Sequence, residues 1–281
     1  MARLTLSNWY GIAALNDCID SSGASDVKVA AALDYSPQTI ANWKKGTGQP
    51  SVGDIRELFT RFGKGSREER EEQILYVQEV IRTKKADRKG LEFDPRFNAI
   101  LLEMGERHYN YSFTWEPDRV PGPLQNDAFH FKILQALEGT TDEVSQFGRN
   151  FKVRRAKGLR SRCEPFKLYF AIGEAALLWL RHLEAGDRRE QLDLLREWNS
   201  LLSCEIRIMA HPHTFHSNFQ LFLPAKSPAA GPAFVFTEIR DRTWCIEEPE
   251  RVKLYHDPIE PNWHRATPLE EYLDAERDRL A

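Results

Sequence analysis

Long apolar runs are missing from this 281-residue chain: the longest, Ala175 to Leu180, is six residues, against the roughly 20 that a membrane helix requires. No membrane-spanning segment is expected. Met1 to Tyr10 holds no apolar stretch followed by small residues, so no secretory signal is read and the cytoplasm is the expected compartment. Cysteine is scarce as well. Cys18, Cys163, Cys204 and Cys245 lie far apart without CxxC spacing, which fits neither a zinc finger nor a small disulfide scaffold; buried, reduced thiols are expected. Nor is one charge in surplus, since 39 basic residues face 42 acidic ones for a net −3. Any polyanion must then be met by a local patch. Signatures of catalysis are also missing: there is no nucleophile elbow, P-loop, dinucleotide-binding glycine pattern or HExxH. Glu247-Glu248 and Glu270-Glu271 are adjacent pairs, whose members point apart on a strand or helix. Neither an enzyme nor a cofactor is expected.

Hydrophobic residues make up 41% of the chain and aromatic residues 11%, enough apolar surface to exclude intrinsic disorder. The length suits about two domains. The pattern predicts an α+β protein: an all-α helix-turn-helix bundle over residues 1–63, a charged linker helix over 64–90 and a larger mixed α+β domain over 91–281.

The head carries the sharpest local signal. Trp9, Ile12, Leu15 and Ile19 mark a first helix, and Ser25 can cap a second that places Val29, Ala30 and Leu33 together. Asp34 ends it as one of the few side chains that tolerate a left-handed turn, and Tyr35 is expected to pack inward. Ser36 as N-cap, with Pro37 at the first helical position, opens a third helix that runs to about Lys45 and stops at Gly46. Ile40 and Trp43 form its core face, with Gln38, Asn42 and Lys45 opposite. Ser51 and Asp54 make a capping box for a helix through Ile55, Leu58, Phe59 and Phe62. Ser66 and Glu69 make another for a charged helix lined by Ile74, Val77 and Ile81. The basic, glycine-terminated stretch Thr83 to Gly90 marks the domain boundary.

Reading DNA needs a short rigid helix with amide side chains that can bond base edges in pairs, and Gln38 and Asn42 meet that need. From Tyr35 to Gly53 the only formal charges are Lys44 and Lys45, a patch suited to phosphates. Residues 1–63 hold six basic and six acidic residues. One copy is therefore expected to bind weakly, and a homodimer on double-stranded DNA is the expected arrangement.

Beyond the boundary, helical periodicity covers Arg96 to Glu106, Leu124 to Leu137, Gly173 to Leu183 and Arg188 to Leu202. Phe166 to Ile172, Cys204 to Ala210, Ala233 to Ile239 and Val252 to His256 read as strands. Thr267-Pro268-Leu269-Glu270 announces a final helix with a capping box, exposing Leu269, Tyr272, Leu273 and Leu280. Trp244 and Trp263 are expected to be core or partner anchors. Arg149, Lys152, Arg154, Arg155, Lys157, Arg160 and Arg162 form a run without an acid in an otherwise acidic domain, a candidate surface for anions or an acidic partner. His211, His213 and His216 fall within six residues, a spacing compatible with a transition metal if a fourth ligand arrives from elsewhere. A polar loop is the simpler expectation, with a pH-sensitive loop as a third, and no metal site is assigned.

Ala30-Ala31-Ala32-Leu33-Asp34-Tyr35-Ser36-Pro37-Gln38-Thr39-Ile40-Ala41-Asn42-Trp43-Lys44-Lys45-Gly46, ending in Pro50, resembles the XRE/Cro-type helix-turn-helix of bacterial and phage repressors. The resemblance implies base contacts from Gln38 and Asn42 and backbone contacts from Ser36, Thr39 and Lys45. Trp115-Glu116-Pro117, Val120-Pro121-Gly122-Pro123-Leu124-Gln125, Gly173-Glu174-Ala175-Ala176-Leu177 and Gly231-Pro232-Ala233-Phe234 are similar to the C-terminal domain of antitoxin-like actinobacterial regulators with an XRE head, the group that includes WhiJ-type proteins. That likeness implies a sensing or partner-binding domain, often associated with a small protein encoded nearby. Three functions stand as expectations. The first is a sequence-specific transcriptional regulator, a dimeric repressor or autoregulator. The second is an antitoxin-like module that neutralises or recruits a small partner, and the third is a metal-dependent enzyme built on His211, His213 and His216.

Overall fold

Side-chain caps set the helices of the head. Thr5 caps α1 (Leu6–Ser22) by accepting from the Asn8 N–H, and Gly23 ends it at φ 70°. Ser25 caps α2 (Asp26–Leu33), and Asp34 takes the left-handed conformation at φ 60°. Ser36 Oγ accepts from the Thr39 N–H at 3.1 Å, Pro37 occupies the first turn, and α3 (Pro37–Lys45) ends at Gly46, φ 70°. A β-carbon on Gly46 would be strained and would sit 2.4 Å from Ile12 Cδ1, so glycine there serves both the turn and the approach of α1. Ser51 and Asp54 complete the capping box of α4 (Val52–Phe62) at 2.8 and 3.1 Å. Trp9, Ile19, Val29, Ile40, Trp43 and Leu58 fill the core. α5 (Arg67–Thr83) packs on α1 and α4 and buries Ile74 and Val77 there. It adds to the bundle because its apolar stripe meets two helices at once.

The computed structural model describes residues 5–83, 95–163, 165–225, 231–239 and 242–276. The described residues divide into two units, the head within 1–91 and a second unit built from 92–225 and 233–281. The Glu69 and Ile81 side chains, residues 84–90 of the expected boundary and Leu280 lie outside the described residues.

The second unit opens with α6 (Pro95–His108) and is organised on one sheet. Its strands are β1 (Tyr111–Glu116), β2 (Lys167–Gly173), β3 (Cys204–Met209), β4 (Phe219–Leu223), β5 (Phe234–Ile239), β6 (Arg242–Ile246) and β7 (Thr267–Pro268), in the order β6-β5-β4-β1-β2-β3-β7. β1, β2 and β3 run parallel, so long crossovers must join them. A π-helical stretch, Phe129–Leu134, leads into α7 (Gln135–Glu138), and α8 (Asp142–Arg160) completes the first crossover. α9 (Glu174–Leu178) and α10 (Ala185–Asn199) make the second; α11 (Pro249–His256), α12 (Ile259–Arg265) and α13 (Leu269–Ala275) follow the last long strand. The remaining strand pairs are antiparallel. Leu168, Phe170 and Ile172 of β2 enter one core with Leu159, Trp198 and Tyr272. Ala171 joins Phe113, Trp115 and Phe215 in a second core. Two apolar faces are what a central parallel strand requires. An all-α head with a mixed sheet and its helices makes the protein α+β.

Several expectations for this unit need correction. Val252–His256 is not a strand but the end of α11: Pro249 starts a helix, and Leu254, which seemed to continue an apolar alternation, is 72% exposed. Thr267 and Pro268 form β7 against β3 rather than a cap, and α13 has no side-chain cap. Leu269, Tyr272 and Leu273 are buried, not exposed, because α13 packs on β3 and α10. The helix expected over Leu124–Leu137 starts later, since Asn126 Oδ1 accepts from the Phe129 N–H at 2.8 Å and caps it there. The sequence expectations include none of β1, β4 and β6. Cys18, Cys204 and Cys245 are buried free thiols, but Cys163, just past α8, is exposed. Among the described residues no helix is long and apolar enough to cross a membrane.

Candidate nucleic-acid interface

The caps and core contacts of α3 fix which side chains it offers outward. Ile40 and Trp43 are buried, so Gln38 and Asn42, one turn apart, fall on the outer side. The Gln38 Nε2–H donates to Asn42 Oδ1 at 3.0 Å. That bond leaves the Gln38 carbonyl oxygen as acceptor, and the second Gln38 N–H and both Asn42 N–H groups as donors, for an outside partner. Ser36 Oγ and Thr39 Oγ1 lie 2.9 Å apart at the start of the same helix, and both residues belong to its exposed or half-buried surface. Lys45 is exposed and makes no ion pair among the described residues.

Lys44 is placed differently from the sequence expectation. Its ammonium lies 3.1 Å from Asp20 and 3.4 Å from Asp26, so it ties α3 to α1 and α2. Partial burial disfavours its charge, but the bonds to the two carboxylates outweigh this and hold it above the usual lysine range. Tyr35 is likewise not packed inward. It is 42% exposed, its ring set edge-on to Trp43 at 5.0 Å and its hydroxyl donating to the Asp54 carboxylate at 3.2 Å.

The seven basic residues in and after α8 do not form one anion-facing surface. Arg149 pairs with Asp127 and Arg154 with Glu103, while Arg160 bonds Glu197 at 2.8 Å and lies over the Trp198 ring. Arg162 donates to the Glu106 and Tyr109 carbonyls at 2.7 Å. Arg155 is buried, with Nε donating to Glu106 at 2.8 Å and a second bond to the same carboxylate. Lys152 donates to Gln125 at 2.8 Å and to His130 Nδ1 at 3.0 Å; burial pushes it down to about 8. His130 is held below the usual histidine range by burial and by Lys152, consistent with a neutral ring whose Nε2–H donates to the Ser145 carbonyl at 2.9 Å. Of the seven, only the Lys157 side chain makes no hydrogen bond or ion pair among the described residues.

His211, His213 and His216 are all exposed, with the His213 ring edge-on to Trp115 at 4.6 Å. Among the described residues no group of three His, Cys, Asp or Glu side chains stands where it could hold a metal ion. Sequence reasoning missed a polar row on the sheet. Gln220 on β4 donates to Ser112 on β1 at 2.9 Å and to Glu106 on α6 at 3.3 Å, with Thr114 and Glu116 further along β1. The alternation Ser112, Thr114, Glu116 between Phe113 and Trp115 was the available signal.

The comparisons bear on this second unit. Residues 106–273 match the family model described as a domain of unknown function, DUF5753. No curated protein matches the chain. The matched span covers more than half of the chain and all seven strands, and the chain therefore belongs to the DUF5753 family.

Proposed function

We propose that this protein is a DNA-binding transcriptional regulator whose α3 enters the major groove. One observation carries the reading: two amides one turn apart on the outer side of a helix that is capped at its start, closed by a left-handed glycine and anchored by Ile40 and Trp43. An amide donor and acceptor suit the N6 and N7 edge of adenine, so each half-site is expected to contain an A·T pair under α3. Ser36, Thr39 and Lys45 flank the amides as phosphate contacts. With so little net charge on the head, two copies on a two-fold site supply the affinity. The likeness of residues 30–50 to XRE/Cro-type heads supports the same assignment.

The test is salt-titrated binding of the full-length protein to its own upstream DNA and to a scrambled duplex. Tighter binding to the upstream site is expected. Gln38→Ala should cost about 1–3 kcal/mol on the matched site and little on the scrambled one; equal losses on both would remove Gln38 from base reading. Lys45→Ala should lower the salt slope by about 1, whereas Lys44→Ala should leave it unchanged, because Asp20 and Asp26 already engage that charge.

A second reading gives the C-terminal unit a small protein partner or a second copy of the chain. It is favoured by the exposed apolar side chains Val144 and Phe147, three residues apart on α8, with Leu137 on α7. Equal, weak binding to both duplexes together with a mass in solution above that of one chain would favour it.

A further inference from the structure

Where β1, β4 and β5 end, a cavity of about 60 Å³ opens against the Pro121-Gly122-Pro123 turn. Its floor follows the sheet register. Thr114, Gln220 and Phe236 form one cross-strand row. One step along the same strands stand Glu116, Asn218 and Glu238, which also line the cavity. Glu116 and Glu238 are two strands apart, roughly 10 Å between backbones, so both carboxyls can reach one small group between them. Leu102, Phe170 and Phe236 supply apolar wall.

Three acceptors in this cavity lack partners. Thr114 is only 5% exposed, and its Oγ1 has no hydrogen-bond partner among the described residues. Such a buried hydroxyl is costly unless something bonds it. Neither the half-buried Glu116 side chain nor the exposed Glu238 side chain makes a hydrogen bond or ion pair among the described residues. The neighbouring cations, by contrast, are engaged: Arg155 with Glu106, Arg119 with Glu138 at 2.6 Å, and Lys152 with Gln125 and His130. Neither carboxyl is thus bonded to a cation, and Arg155, Arg119 and Lys152 act on them only through space. Burial and the Glu238 charge push the Glu116 carboxyl up to about 8, outweighing the opposing charges of Arg119 and Arg155.

We propose that this cavity binds a small organic ammonium ion, whose N–H groups donate to Thr114 Oγ1 and to the Glu116 and Glu238 carboxylates while its carbon chain lies on the phenylalanine walls. An ammonium carries three donors for these three acceptors, and aromatic faces favour a cation. A divalent metal is a poorer match, since it needs more oxygen ligands than two carboxylates and a hydroxyl. Binding requires ionised Glu116, which is faced by Glu238 from β5, by Arg155 from α8, and by Asp118 and Arg119 on its own loop; Lys152 from α8 acts on Glu238, and Glu106 from α6 holds Arg155. Ammonium binding therefore releases a proton, and affinity rises by up to about tenfold per pH unit until Glu116 ionises.

The experiment is calorimetric titration of the full-length protein with propylamine at pH 6, 7 and 8. Propan-1-ol and propionate serve as neutral and anionic controls of the same size. A ligand of four heavy atoms binds no tighter than tens of micromolar, so titration extends to roughly 50 mM. Saturable propylammonium binding that tightens with pH and releases a proton is expected, with none for the controls. Glu116→Gln should weaken it at least tenfold and abolish the pH dependence, and Thr114→Val should weaken it several-fold. Both replacements are close in shape to the original side chain, and melting curves report whether each variant is folded. Propylamine should raise the melting temperature of the parent protein but not that of Glu116→Gln. No propylammonium binding at any pH, unchanged binding by Glu116→Gln, or preferential binding of propionate overturns the proposal.

Discussion

The head and the C-terminal unit treat charge in opposite ways. In the head, ion pairs such as Lys44 with Asp20 and Arg61 with Glu57 lie at or near the surface, and polar side chains at helix starts cap their helices. Its stability rests on a small apolar core, which leaves the outer face of α3 uncovered. The C-terminal unit instead carries charge inward: Arg155 and Glu106 are paired with side chains 9% and 3% exposed, and Gln220 and Ser112 extend the network across the sheet. This arrangement makes the unit sensitive to single substitutions, because a buried charge left alone is far more costly than one at the surface.

The sharpest way to break the contrast is Arg155→Ala. It strands the Glu106 carboxylate and should destabilise the protein by about 3–5 kcal/mol, read by chemical denaturation followed by circular dichroism. Replacing Arg155 and Glu106 together with apolar residues should recover much of the loss; no recovery would show that the pair is not the source of the effect. Next in size is a pH effect at Glu116. Its carboxyl rises from 4.5 to about 8 on folding, so between these values the folded state holds a proton that the unfolded state releases, and stability falls as pH rises. Glu116→Gln should therefore be relatively more stable at pH 8 than at pH 5, and equal differences at both would deny the carboxyl this role. In the head, Ser36→Ala removes the α3 cap and should cost about 1 kcal/mol, lowering the melting temperature and weakening DNA binding through the helix. The smallest effect belongs to Arg154→Ala. Arg154 meets Glu103 at the surface with its side chain 51% exposed, and the loss should stay within about 1 kcal/mol.

The head was legible because its signals are local. A serine cap acts on an N–H three residues ahead, an aspartate or glycine sets the turn at its own position, and Ile40 and Trp43 lie within one turn of each other, so spacing alone placed them. β2 was equally plain from its alternating large residues. Where reading failed, the deciding contact lay far along the chain. Val252 to His256 alternates like a strand, yet no strand accepts it and α11 forms instead. Leu269, Tyr272 and Leu273 resemble an exposed stripe until β3 and α10 arrive to cover it. β1 mixes serine, threonine and glutamate with phenylalanine and tryptophan because its two faces meet different surroundings, one apolar and one polar.

The helices of the head, the outward placement of Gln38 and Asn42 and the α+β division follow from caps, turns and periodicity within a few residues. The placement of the charges is set by the folded chain instead. Lys44 faces Asp20, Arg155 faces Glu106 and Glu116 shares a cavity with Glu238, pairings across 24, 49 and more than 100 positions. Coulomb energy and burial depend on distance in space, and no local pattern carries that information.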